Sequence, residues 1–192
     1  MRCFIAVDVP PAVREAARRA QESLRAAGAD VKWTSPESLH VTLKFLGWLE
    51  PPAVEQVKRR LAADVPSRER LAVRFRGIGT FPERGQPRVI WAGCEGDVEG
   101  LSALARLAEE AGTEAGVAPE TRPFAPHLTL GRVKSPRNGK ALQALLPRFR
   151  DTDFGECPVQ AVVLYKSTLR PQGALYEPQA AYPLRQARGP AR

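Results

Sequence analysis

Leu39-His40-Val41-Thr42-Leu43 and Pro126-His127-Leu128-Thr129-Leu130 write one pattern twice: apolar residues alternate with polar ones, and the polar pair is histidine then threonine. Alternation at period two makes a β-strand with one face turned to a core and the other left free. The chain of 192 residues has 2 histidines, and the two motifs use both. An imidazole titrates near neutrality without help from its surroundings, so a matched pair is a candidate acid and base.

The rest of the chain repeats around these strands. Arg2 to Asp8 reads as a buried strand, and Pro10-Pro11 opens a helix in which Val13, Ala17, Ala20, Leu24 and Ala27 recur at helical spacing up to Gly28. Val31 to Thr34 is a short extended piece. The strand from Ser38 to Leu46 sets Leu39, Val41, Leu43 and Phe45 on one face, with Ser38, His40, Thr42 and Lys44 on the other. A second helix opens at Pro51-Pro52 with Val54, Val57 and Leu61 inward, and Leu71 to Ile78 is a further strand. Gly79 to Pro87 is rich in glycine and proline and reads as the loop between halves.

Beyond it the order restarts: a strand over Arg88 to Cys94, a helix capped by Asp97 that fades over 112–116, and the strand His127 to Val133. A helix carrying Leu142, Leu145 and Leu146 follows, then a strand from Pro158 to Arg170, then an irregular strand from Leu175 to Leu184. His40 lies as far beyond Ile5 as His127 lies beyond Trp91, to within one residue. The expected fold is therefore α+β, a bilobal pseudo-symmetric duplication of a strand-helix-strand-helix-strand unit, with antiparallel sheets facing a central cleft. Residues 1–185 form one domain in this reading, with sequence halves of about 1–79 and 88–185, and 186–192 form a flexible tail.

Composition narrows the class. No apolar run reaches the roughly 20 residues that a membrane-spanning helix needs, and the opening Met1 to Asp8 has no signal-peptide core, so a cytoplasmic monomer is expected. Three isolated cysteines, Cys3, Cys94 and Cys157, suit neither a disulfide framework nor a paired-thiolate metal site. A net charge of +8 is compatible with a polyanionic partner, and equally with a general bias toward Arg, Ala, Pro and Gly.

On each His strand the imidazole and hydroxyl share a face, held by the apolar residues behind them. Brought together, the two strands offer one proton donor, one proton acceptor and two hydroxyls around a small anion. That set matches in-line displacement at a phosphodiester phosphorus, the hydroxyls of Thr42 and Thr129 holding the non-bridging oxygens. A two-His metal site is the competing use of imidazole. It is poorly supported, because neither strand supplies a carboxylate or thiolate at ligand spacing, and no metal or other cofactor is expected.

Other side chains are secondary candidates for binding substrate. Arg132 suits a phosphate, yet strict alternation sets it with Leu128 and Leu130, away from His127. Either Gly131 carries a bulge that re-aims it, or it is a structural or surface arginine. Phe124 is a base-stacking or a core residue. Lys44 shares the polar face of His40; Lys166, Tyr176, Trp33 and Trp48 are further possibilities.

The chain resembles the 2H phosphoesterase superfamily, and within it the RNA 2′,3′-cyclic phosphodiesterases, also called 2′-5′ RNA ligases. The resemblance runs from Arg2-Cys3-Phe4-Ile5-Ala6-Val7 through His40 to Gly47 and Pro126 to Arg132, and on to Leu164-Tyr165-Lys166-Ser167 and Tyr182-Pro183-Leu184. It implies a bilobal α+β fold and hydrolysis of RNA 2′,3′-cyclic phosphate to a 2′-phosphomonoester, with RNA ends, tRNA fragments among them, as partner. It also implies the joining of RNA ends through 2′-5′ linkages, with a hydroxyl as the nucleophile. By the same resemblance His40 is the proton donor and His127 the acceptor, an assignment that symmetry alone does not make. Two alternatives share the residues: a phosphodiesterase of small cyclic nucleotides or ADP-ribose cyclic phosphate, and a non-catalytic RNA-end binder.

Overall fold

Cys3 to Val7 is an unbroken apolar run, and a strand apolar on both faces belongs in the middle of a sheet. In the computed structural model, which describes residues 1–170 and 173–186, all five are at most 3% exposed. Residues 187–192 of the expected tail lie outside the described part. The elements run β1 (Arg2–Asp8), α1 (Pro11–Arg25), β2 (Val31–Trp33), β3 (His40–Trp48), α2 (Pro51–Asp64), β4 (Leu71–Phe81), β5 (Val89–Gly96), α3 (Val98–Glu114), β6 (His127–Val133), α4 (Gly139–Leu145), β7 (Asp153–Val159), β8 (Ala161–Arg170) and β9 (Gly173–Pro183).

Two antiparallel sheets result, one ordered β3-β1-β8-β9 and the other β2-β6-β5-β4-β7. Set side by side, β3-β1-β8-β9 and β6-β5-β4-β7 correspond strand for strand, so the fold is the duplicated α+β arrangement with two sheets. The lobes are nevertheless not the sequence halves. β4, the last strand of the first half, lies against β5 of the second, while β8 of the second half lies against β1 of the first. Each central strand gains its second neighbour from the other half, and the halves are tied by backbone hydrogen bonds.

The stretch from 153 to 170 departs from the single strand expected from Pro158. Phe154, Cys157 and Val159 are buried on β7, which pairs with β4, and the chain then crosses at Gln160 into β8 of the other sheet. Pro158 is tolerated because β7 is an edge strand, where a missing N–H costs no ladder bond. β4 also runs three residues further than Ile78. Gly79 makes this possible, since a Cβ there would come within 2.2 Å of the Trp91 ring directly opposite.

Helix packing aims the His strands. α1 turns Val13, Ala17, Ala20 and Leu24 inward against β7, and α3 packs against β3 and α2. Val41, Leu43, Leu128 and Leu130 are each at most 6% exposed. Burying a side chain of this size stabilises by about 1.5–3 kcal/mol, so the opposite faces are fixed by default. The three cysteines are unpaired, and burial pushes the Cys94 thiol up to about 11 and the Cys157 thiol up to about 12.

Candidate active site

β3 and β6 come from different sheets, yet they contact each other, and a charge on His127 is felt at His40. The two imidazoles are set by the same device. His40 Nδ1 donates to the carbonyl of Ser38 at 2.7 Å, and His127 Nδ1 donates to the carbonyl of Ala125 at 2.7 Å. In each case the proton sits on Nδ1 and Nε2 is left for chemistry. His40 Nε2 meets the Thr42 hydroxyl at 3.0 Å.

The turn that carries the carbonyl under His40 is itself held. Arg14 donates through Nη1 to the carbonyls of Pro36 at 2.7 Å and Glu37 at 2.5 Å, and through Nε to Val9 at 3.0 Å. It clamps the 3-10 turn Pro36–Ser38 that presents the Ser38 oxygen. Aromatic rings complete the walls. Phe4 lies 4.8 Å from the His40 ring, and Tyr176 stands edge-on to it at 5.3 Å. Phe81 stands edge-on to His127 at the same 5.3 Å, and Trp91 lies opposite Thr129. Burial holds the His40 pKa below the ordinary imidazole value, outweighing the Ser38 bond and the charge of Asp8 that favour the cation; Arg14 and His127 lower it further. Asp8 faces His40 in register and accepts from the Tyr165 hydroxyl at 2.7 Å. Burial and that carboxylate raise the Tyr165 pKa, so it stays a donor.

Both His strands are bulged, and at equivalent places. On β3, Thr42 pairs with Ala6 and Lys44 with Ile5, leaving Leu43 extra; on β6, Thr129 pairs with Trp91 and Gly131 with Ile90, leaving Leu130 extra. An extra residue inverts the alternation that follows it. This corrects the reading of Lys44, which does not share the His40 face. It is 6% exposed, turned to α3, and bonded to Glu109 Oε1 at 2.8 Å and the Ala118 carbonyl at 3.1 Å. Phe45, expected inward, is 60% exposed and comes within 6.2 Å of Phe4 on the cleft face. On β6 the same inversion returns Arg132, exposed, to the face of Thr129. Of the two readings of Arg132, the bulge is the one realised, although the extra residue is Leu130 rather than Gly131.

The remaining candidates divide. Tyr176 is in the site. Phe124 is partly buried and packs on the core, and Lys166 is paired with Glu177 at 3.3 Å. Trp33 lies on the back of its sheet, against Gly131 and under the Arg25 guanidinium at 5.5 Å. Trp48, 73% exposed, ends β3 and donates to Glu50 at 3.2 Å. Sequence reasoning missed Phe4, Phe81 and Arg14. Phe4 reads as core and Phe81 as loop; the clamp of Arg14 on backbone oxygens leaves no pattern to find. Among the described residues, no three His, Cys, Asp or Glu side chains gather where they could hold a metal ion, and no helix is long and apolar enough to cross a membrane.

Known proteins resemble this chain in sequence and in fold. The family described as LigT like Phosphoesterase matches residues 7–91 and 96–176. An RNA 2′,3′-cyclic phosphodiesterase of Methanocaldococcus jannaschii is 37% identical over 177 residues, covering 92% of this chain and 97% of its own. One from Thermus thermophilus is 38% identical over 207 residues, covering 99% and 96%. The solved structure of a Thermus thermophilus protein has a TM-score of 0.82 at 32% identity, covering 98% of this chain and 100% of that one.

Proposed function

The chain belongs to the LigT-like phosphoesterase family, and we propose that it hydrolyses the 2′,3′-cyclic phosphate at an RNA end to a 2′-phosphomonoester. The observation that most supports this reading is the matched orientation of the imidazoles, each with Nδ1 spent on a carbonyl two residues back and Nε2 turned away from that carbonyl, on a strand face that also carries a threonine. Water attacks phosphorus in line with the P–O3′ bond while His127 Nε2 takes its proton. The P–O3′ bond breaks and His40 Nε2 gives its proton to O3′. Hydroxyls of Thr42 and Thr129 donate to the non-bridging oxygens as charge builds there.

General acid–base help contributes about 10²–10⁴-fold per group and a donor to developing charge about 10²–10³-fold. Both proton transfers and the charge stabilisation fall to side chains, so the proposed reaction needs no metal. Burial disfavours a charged His40, and an arriving phosphodiester anion offsets that penalty by favouring the imidazolium. The donor and acceptor roles follow the family resemblance. Arg132, exposed on the Thr129 face, supplies a guanidinium to a phosphate oxygen. With an RNA 5′ hydroxyl in place of water as the nucleophile, the same groups join ends through a 2′-5′ linkage, O3′ again leaving with the proton from His40. The working form is proposed to be a cytoplasmic monomer acting on RNA ends such as tRNA fragments.

Product analysis on a cyclic-phosphate oligonucleotide, in EDTA, tests the reading. The phosphate is expected on the 2′ oxygen, with His40→Ala and His127→Ala each folded and largely inactive. No turnover by the pure wild-type protein, or a 3′-phosphate product, would overturn it.

A further inference from the structure

Lys32 on β2 and Arg132 on β6 are directly opposed in the ladder. Opposed residues of an antiparallel pair share a face with Cβ atoms about 5 Å apart, where like charges repel. Both side chains are exposed, and neither has a carboxylate within ion-pair distance among the described residues. The face they share is that of Thr129, because Val31 and Trp33 crowd Gly131 on the other side. Two unneutralised cations set side by side on the cleft face call for an anion.

The positive surface continues past the end of β6. Arg88 and Lys134 line a cavity of about 610 Å³ together with Pro82, Gln86 and Ser135; among the described residues no acidic side chain lines it, and the nearest acid along the ladder is Asp30, whose carbonyl accepts from Lys134 N at 2.8 Å. Neither Arg88 nor Lys134 is ion-paired among the described residues. The cavity starts one residue beyond Phe81, whose ring touches His127, and one residue beyond Arg132. From Thr129 to Lys134 is about 15 Å of strand, the reach of a few nucleotides.

A general excess of basic residues does not account for this. The duplicated sheet has Phe45 at the position equivalent to Arg132, with Trp48 at the end of its strand, so the corresponding end of the other His strand is aromatic. That end has one exposed cation, Arg2 opposite Trp48, where the end of β6 has Lys32, Arg88, Arg132 and Lys134.

We propose that Lys32, Arg88 and Lys134, with Arg132, form a track for the internucleotide phosphates of an RNA chain whose cyclic end lies between His40 and His127. This inference rests on the RNA-end reading above and gives the chain its direction out of the cleft. Lysine and arginine that neutralise phosphates release counterions, so such a track makes binding salt-dependent.

Steady-state kinetics on the wild type and the double variant Lys32→Ala/Lys134→Ala compare a 2′,3′-cyclic mononucleotide with a hexanucleotide ending in the same cyclic phosphate. The ratio of kcat/KM for hexanucleotide over mononucleotide is expected to fall about tenfold. The log–log salt slope for the hexanucleotide should become shallower by about 1.4, the value for two lost contacts to a single strand. Lys32→Arg/Lys134→Arg should restore both. An unchanged ratio and slope would overturn the track. If the wild type turns over neither substrate, the RNA-end reading fails by itself, and fluorescence anisotropy of a labelled hexanucleotide ending in a 3′-phosphate then decides the track. Weaker, less salt-dependent binding by the alanine variant supports it, and equal binding overturns it.

Discussion

The side-chain amide of Gln21 donates to the carbonyl oxygen of Leu130 at 2.8 Å, across 109 residues of sequence. Leu130 is the extra residue of the β6 bulge, and its carbonyl also accepts from Thr34 N at 2.9 Å. The second amide hydrogen of Gln21 goes to the Thr34 carbonyl at 2.7 Å. A residue 3% exposed on α1 therefore holds the backbone irregularity that re-aims Arg132.

Replacing that amide should loosen the bulge. Gln21→Leu leaves the Thr34 carbonyl short of a partner and is expected to cost about 1–3 kcal/mol, read from the urea midpoint. Gln21→Glu should cost more at neutral pH than at acid pH, because an ionised carboxylate donates to neither carbonyl, whereas the protonated acid has one O–H to give. A midpoint unchanged in both variants would show that the bulge holds without Gln21.

The proposed donor role of His40 predicts the pH behaviour. Burial holds its pKa below 6.5, so in the free enzyme a donor role is lost as pH rises through that lowered value. The alkaline limb of kcat/KM is expected below pH 6.5, and Asp8→Asn should move it further to acid by removing a charge that favours the imidazolium. For stability the sign is the reverse. The unfolded imidazole takes its proton at 6.5 and the folded one at lower pH, so the His40 contribution is present above 6.5 and declines as pH falls through the folded value. An alkaline limb unmoved by Asp8→Asn would place the titrating donor elsewhere.

Thr42 is tested by shape. Thr42→Val keeps the volume and removes the hydroxyl 3.0 Å from His40 Nε2, and kcat is expected to fall about 10²-fold with folding intact. Thr42→Ser keeps the hydroxyl and should retain most of the rate. Full activity in the valine variant would remove the hydroxyl from the mechanism.

Lys44 should behave as a structural residue. Glu109 is 30% exposed and also accepts from Glu120 N at 3.0 Å, so it returns to water when its partner is removed, and Lys44→Met is expected within about 1.5 kcal/mol of wild type with kinetics preserved. Glu109→Ala leaves the buried ammonium with the Ala118 carbonyl alone and should destabilise more. A selective rise in KM for Lys44→Met would return it to the substrate side.

The parts of this site legible in the chain were those that depend on period and count. His40, Thr42, His127 and Thr129 lie before the bulges, where alternation still holds, and their shared faces follow from spacing alone. Phe45, Lys44 and Arg132 lie after them, and each falls on the face opposite to the one that counting assigns. β7 was hidden for a related reason: Gly155 and Pro158 interrupt its alternation, and its pairing with β4 is a long-range choice.

Two strands, each with a histidine and a threonine on its free face, were determined by the sequence itself, through the steric rule that successive residues of a strand point to opposite sides. Only the tertiary structure decided which strands share a sheet and where the ladder slips. A bulge is stable when the partner strand and the groups behind it satisfy the extra residue's backbone, and those groups, Gln21 and Thr34 for Leu130, come from distant parts of the chain.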